Sequence, residues 1–107
     1  MLTIAYRFPV LPRHHDTFRH AWQASRETLT HAVGLQAHDL LEPCSRREAF
    51  ILRLAWDSQS SFERFTRTWV GVWMLNGMGL DLDAFSGPIE TAVGEAGFVP
   101  RTGKRAA

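Results

Sequence analysis

Apolar positions recur along this chain with two different periods, and each change of period marks the start of a new element. From Leu2 to Val10 they alternate. Leu2, Ile4, Tyr6 and Phe8 fall on one side, Thr3, Ala5 and Arg7 on the other, and the segment is rich in strand formers, which predicts a β-strand. Pro9 and Pro12 end it, because neither can donate to a ladder. The period then lengthens. Phe18, Ala21, Trp22, Ser25, Leu29, Ala32 and Val33 fall on one stripe of a helix from about Asp16 to Ala32, with Arg19, Gln23, Arg26, Glu27 and Thr30 turned to water. Gly34 is placed to stop it. Leu35 to Glu42 reads as a second strand, closed by Pro43. The polar run Ser45-Arg46-Arg47-Glu48 is turn-like, so a third strand, about Glu48 to Trp56, is expected to return antiparallel as a hairpin. Its bulky face is Phe50, Leu52, Leu54 and Trp56, and its small face Ala49, Ile51, Arg53 and Ala55.

The stretch from Trp56 to Trp73 organises the rest. Ser60 followed by Glu63 has the form of a capping box, which starts a helix. Behind it Phe62, Phe65, Trp69, Val72 and Trp73 share one face of a single continuous helix, and that face is aromatic. It is expected to pack on a sheet or to wall a pocket. The helix fades near Asn76-Gly77-Met78-Gly79. Leu80 to Gly87 reads as an irregular connection containing Asp81 and Asp83, and Ile89 to Gly94 as a short last strand. From Gly97 the sequence turns to Gly, Pro and basic residues, so we divide the chain into a folded domain, 1–96, and a flexible basic tail, 97–107.

The predicted order is β-α-β-β-α-β, a ferredoxin-like α+β fold in which two helices cover one face of a four-stranded antiparallel sheet. Apolar residues on both faces of the third strand require cover on the second face as well, and two copies packed sheet to sheet supply it. Composition narrows the partners. A chain of 107 residues is one domain of modest core. A formal charge of +1 provides no concentrated basic face for nucleic acid. The single cysteine, Cys44, excludes an internal disulfide and a cysteine-based zinc site. No apolar run reaches the roughly 20 residues that span a bilayer. With strand-like sequence from the start and no signal peptide, the expectation is a cytoplasmic protein.

The short first strand, the long first helix, the strand ending in Trp56-Asp57-Ser58 before Phe62 and Phe65, and the closing Gly87-Pro88-Ile89-Glu90 resemble the antibiotic biosynthesis monooxygenase family over about residues 1 to 95. The resemblance implies a homodimer of the dimeric α+β barrel type, with a pocket in each subunit between sheet and helices. It also implies cofactor-free oxidation of polycyclic phenols, in which a substrate enolate reacts directly with oxygen while the protein supplies a dry pocket, stacking surfaces and hydrogen bonds. The haem-degrading branch of that family carries an Asn on the first strand, a Trp early in the second helix and an iron-binding His about ten residues later. Those places fall here on Arg7, Phe65 and Leu75, and no histidine follows His38. We therefore expect no haem and no other cofactor.

Candidate site residues each carry two readings. Trp69 and Trp73 stack on a planar substrate or fill the core, and Phe65 lies on the same face. Tyr6, the one tyrosine, hydrogen-bonds a ligand or a local carbonyl. Arg53, a charge in an apolar strand, pairs with Asp39 on the neighbouring strand, or else it or Arg7 holds an anionic oxygen. His38 is a general base or a packed strand residue. Asn76 donates to a ligand at the pocket mouth or ends its helix. His14, His15, Asp16 and His20 cluster at a helix start, where exposed polar residues are commonplace, and we assign no metal there. Three functions follow: a cofactor-free monooxygenase for a small aromatic or polyketide-like substrate, a non-oxidative binding protein, isomerase or cyclase on the same scaffold, or a dimerisation module without chemistry.

Overall fold

The computed structural model describes residues 2–44 and 49–94. The expected turn at 45–48 and the tail at 97–107 lie outside the described residues. Strand β1 is Leu2–Phe8, helix α1 His15–Leu29, β2 Leu35–Leu41, β3 Phe50–Trp56, α2 Gln59–Thr66, α3 Trp69–Leu75 and β4 Glu90–Gly94. The strands form one sheet in the order β2-β3-β1-β4, and every neighbouring pair is antiparallel. This is the ferredoxin-like α+β arrangement that the pattern predicts.

Alternation along β1 and β3 decides which side of the sheet is buried. Ile4, Tyr6 and Phe8 stand opposite Leu54, Leu52 and Phe50. All six are essentially inaccessible to solvent, and Phe18, Trp22, Leu29, Phe65 and Met74 close over them from the three helices. Phe18 wedges between strands, its ring 4.4 Å from that of Phe50 and 5.1 Å from that of Phe8. Each such burial contributes about 1.5–3 kcal/mol, so the helices are held to this face by packing rather than by helix propensity.

The opposite face carries Ala5, Arg7, Ile51, Arg53 and Ala55. Its charges are paired across strands, and for the buried Arg53 burial demands it. Arg53, only 8% exposed, forks onto Asp39, with Nε donating to Oδ1 at 2.7 Å and Nη2 donating to Oδ2. Arg7 lies 3.7 Å from Glu90 across β1 and β4.

Four details depart from the expected pattern. The second helix is two helices, for reasons given below. Its start is capped by Ser58, whose Oγ accepts from the Ser61 N–H at 3.2 Å; Ser60 and Glu63 form no capping box, and Glu63 instead accepts from Gln59 at 2.9 Å. Helix α1 ends at Leu29, so Val33 is 64% exposed instead of completing the stripe. The connection after α3 is not wholly irregular: Leu82–Ala84 form a 3-10 turn, and Val10 bridges to Phe85.

Candidate functional site: an aromatic groove beside a broken helix

The break between α2 and α3 is local chemistry. Thr68 Oγ1 donates to the Phe65 carbonyl at 2.7 Å and accepts from the Gly71 N–H at 3.0 Å. One hydroxyl therefore ends α2 and caps α3, the competition with regular helix hydrogen bonds that threonine is suited to. Gly71 makes the close approach possible, since a Cβ there would stand 2.0 Å from the Phe65 oxygen.

The break rotates α3 relative to α2. Phe65 stays in the core with its ring 5.0 Å from that of Trp56. Trp69, seven residues after Phe62 on the supposed continuous face, is 76% exposed, and Val72 is 48% exposed. The aromatic stripe is thus split, and the core reading of Trp69 is overturned. Its indole stacks on Trp73, with ring centroids 6.3 Å apart and planes within 10°. Trp73 is backed by the turn at Gly79, where φ is +83° and a Cβ would lie 3.1 Å from the indole nitrogen. The paired indoles, Val70, and Ala24, Ser25 and Thr28 of α1 enclose a groove of about 210 Å³. A second cleft of about 290 Å³ adjoins it through the shared Thr28 and Val70 and runs past Ala32 and Phe65 to His31 and Arg64. Both are lined mainly by apolar and small side chains, the usual character of a small-molecule site.

The other expected site residues are dispersed. Tyr6 lies under the helices, 1% exposed, and its hydroxyl has no partner among the described residues; burial pushes its pKa well above the ordinary phenol value. The indole nitrogen of Trp56 and Nδ1 of His38 are likewise buried without a partner. His38 sits on the same side of the sheet, opposite Leu54, with Trp22 edge-on at 5.7 Å. It borders a polar cleft of about 340 Å³ between β2 and α1, with Arg19, Gln23, Arg26 and Glu42. Arg53 projects from the opposite face of the sheet, and it meets His38 at a shallow cleft of about 80 Å³ around Ala37 and Ala55. Arg7 lies on that opposite face too. Asn76 is the C-terminal cap of α3, its side-chain amide donating to the Val72 carbonyl at 2.9 Å. Asp16 is bonded to Arg19 at 2.7 Å, and among the described residues no three His, Cys, Asp or Glu side chains gather as a metal site would need.

Sequence reasoning missed Ala24, Ser25, Thr28, His31, Val70 and Arg64 as groove residues. A signal for the groove existed in Thr68 with Gly71 three positions on, a capping pattern inside an apparently continuous helical period.

No protein-family model matches this chain, and no curated protein matches it in sequence. Solved structures match it in fold. A candidate antibiotic biosynthesis monooxygenase from Nitrosomonas europaea superposes with a TM-score of 0.75 at 14% identity, over 92% of this chain and 100% of its own. Another from Deinococcus radiodurans gives 0.73 at 13% identity, over 92% and 95%. A variant of MhuD, solved with two manganese protoporphyrin IX molecules per active site, gives 0.73 at 13% identity, over 92% and 97%. The chain therefore has the fold of proteins named as antibiotic biosynthesis monooxygenases, over nearly its whole described length. For a porphyrin the donor set here does not fit: α3 carries no histidine, and its expected ligand position is the half-buried Leu75.

Proposed function

We propose that this protein is a homodimeric, cytoplasmic, cofactor-independent monooxygenase acting on a small aromatic or polyketide-like phenol held between its helices and sheet. The observation that carries the reading is the stacked Trp69–Trp73 pair, a flat apolar wall left open beside α1. Large rigid rings in the open are costly unless something planar covers them. The buried hydroxyl of Tyr6 and the indole nitrogen of Trp56, without a partner among the described residues, support it, because a hydroxylated substrate drawn inward past α3 satisfies them. Helix α3 is seven residues long and buries only Gly71 and Met74, so it is the element best suited to yield.

In this reading Trp69 and Trp73 stack on the substrate and exclude water, and Phe65 lines the adjoining cleft. Tyr6 donates to the substrate oxygen, and the proton whose loss makes the carbanion passes to water; His38, expected as the base, borders the separate cleft on the other flank of α1 and not the groove. That carbanion gives two electrons to dioxygen. The resulting hydroperoxide then loses the second hydrogen of the same ring carbon as a proton, that C–H electron pair closing the carbonyl as the O–O bond breaks, and the outer oxygen leaves as water. Arg53 and Arg7, on the far face of the sheet, belong to the contact between two copies.

The test is Trp69→Ala, assayed by oxygen consumption with an anthrone-type substrate and by melting. Because the indole is largely exposed, the melting temperature should hardly move, while substrate affinity falls by the roughly 0.5–1.5 kcal/mol of lost aromatic contact. Unchanged turnover and affinity would remove the groove from the site. Binding without oxygen uptake would favour an isomerase, cyclase or carrier on the same scaffold.

A further inference from the structure

We infer that the ligand of the aromatic groove is an acid: a planar ring system bearing a carboxylate or similar anionic group that extends along the adjoining cleft to Arg64. The inference rests on the assignment of the groove as the ligand site. The two clefts share Thr28 and Val70, so one elongated molecule fills both. Their chemistry is asymmetric. At the Trp end the lining is indole, Val70 and small residues of α1, with no charge. At the other end stand Arg64 and His31, with no carboxylate among the lining residues.

Arg64 is held out to solvent in the last turn of α2 and makes no ion pair among the described residues. Asp57 interacts with it only weakly: the Asp57 pKa is lowered chiefly by a hydrogen bond from Ser61 and only in smaller part by the charge of Arg64. The other guanidiniums that border a described cleft are engaged. Arg19 is bonded to Glu42 and Asp16, Arg53 to Asp39, and Arg26 contacts Gln23. His31 is oriented by donating Nδ1–H to the Glu27 carbonyl at 3.0 Å. That contact leaves Nε2, the ring's other nitrogen, without a hydrogen-bond partner among the described residues. A flat apolar slot that ends at an unspent guanidinium selects a molecule with the same asymmetry, because a planar fork pairs best with a carboxylate.

The experiment measures calorimetric affinities of naphthol and of the hydroxynaphthoic acid with the same ring, on the full chain and on Trp69→Ala, Arg64→Gln and Arg67→Gln. Arg67 does not line either cleft and controls for net charge. The acid should bind about fivefold more tightly than the neutral phenol, the upper end for a solvent-facing pair. That preference should vanish in Arg64→Gln and persist in Arg67→Gln, and Trp69→Ala should weaken both probes. Equal affinity for the two probes, or a preference that survives Arg64→Gln, overturns the anionic ligand while leaving the aromatic site standing. Failure of both probes to bind, or undiminished binding to Trp69→Ala, overturns the site itself and this inference with it.

Discussion

Tyr6→Phe should stabilise the protein and impair it at once. The hydroxyl is 1% exposed within the core and has no partner among the described residues. A buried polar group left unsatisfied costs about 1–3 kcal/mol. Removing the oxygen recovers that cost, less the packing lost around a gap of one atom, so a net gain of about 1 kcal/mol is expected. For a domain of this size, that raises the melting temperature by about 4–8 °C. The alkaline limb supplies a second readout. In the unfolded chain the phenol ionises near pH 10.0, whereas burial keeps the folded phenol neutral to well above that. A raised native pKa gives stability that is complete below the unfolded value and is lost as pH climbs past it. The wild type should therefore weaken above about pH 10, and the Phe variant should lose less. Thermal melts of both proteins from neutral pH upward measure each effect, and oxygen uptake measures the third, a fall in turnover as the donor to substrate disappears. A melting temperature lowered by a comparable amount at neutral pH would show that the hydroxyl is satisfied in the folded protein. The argument from its orphaned state would then fail.

Other outcomes follow from single contacts. Gly71→Ala places a Cβ 2.0 Å from the Phe65 carbonyl, so it should cost about 2–3 kcal/mol and disturb the Trp69–Trp73 stack, read by melting and by near-ultraviolet circular dichroism. Asp39→Ala strips the fork from the 8% exposed Arg53 and should cost about 1–3 kcal/mol in chemical denaturation; a change below about 0.5 kcal/mol would mean that the guanidinium is satisfied elsewhere. Ile51→Asp, on the sheet face opposite the helices, should convert a sedimenting dimer to monomer at micromolar concentration, whereas a wild type that sediments as monomer removes the proposed sheet-to-sheet pairing.

Much of the fold was legible because alternation is a strong local signal. Ile4, Tyr6, Phe8, Phe50, Leu52, Leu54 and Trp56 were assigned to one face from spacing alone, and all are buried there. The pairing of Arg53 with Asp39 was legible as well, because a charge in an apolar strand leaves few solutions. The break at Thr68 was missed, although Thr68 and Gly71 carry the capping pattern that signals it. Helical period is preserved across residues 62–73 in sequence, and only the competition of one hydroxyl with the backbone, together with the missing Cβ of Gly71, interrupts it in space. The capping residue was misplaced for a related reason: Ser58, Ser60 and Ser61 are chemically equivalent candidates for the cap, and Ser58 takes it.

That interruption is what makes the groove. A continuous helix would have turned Trp69 inward with Phe62 and Phe65 and filled the interior, the arrangement that stability alone favours. Instead Thr68 resets the phase of the last seven residues, leaves an indole 76% exposed and brings it parallel to Trp73. The forfeited burial of a tryptophan is of the order of 2 kcal/mol, a large share of the net stability of so small a domain. The same reset opens the space between α1 and α3 through which the inner polar atoms of Tyr6 and Trp56 are proposed to meet a substrate. Local rules are broken in one place, and the cost there coincides with the exposed aromatic surface. Sites of function are where such conflicts between stability and arrangement are expected to lie.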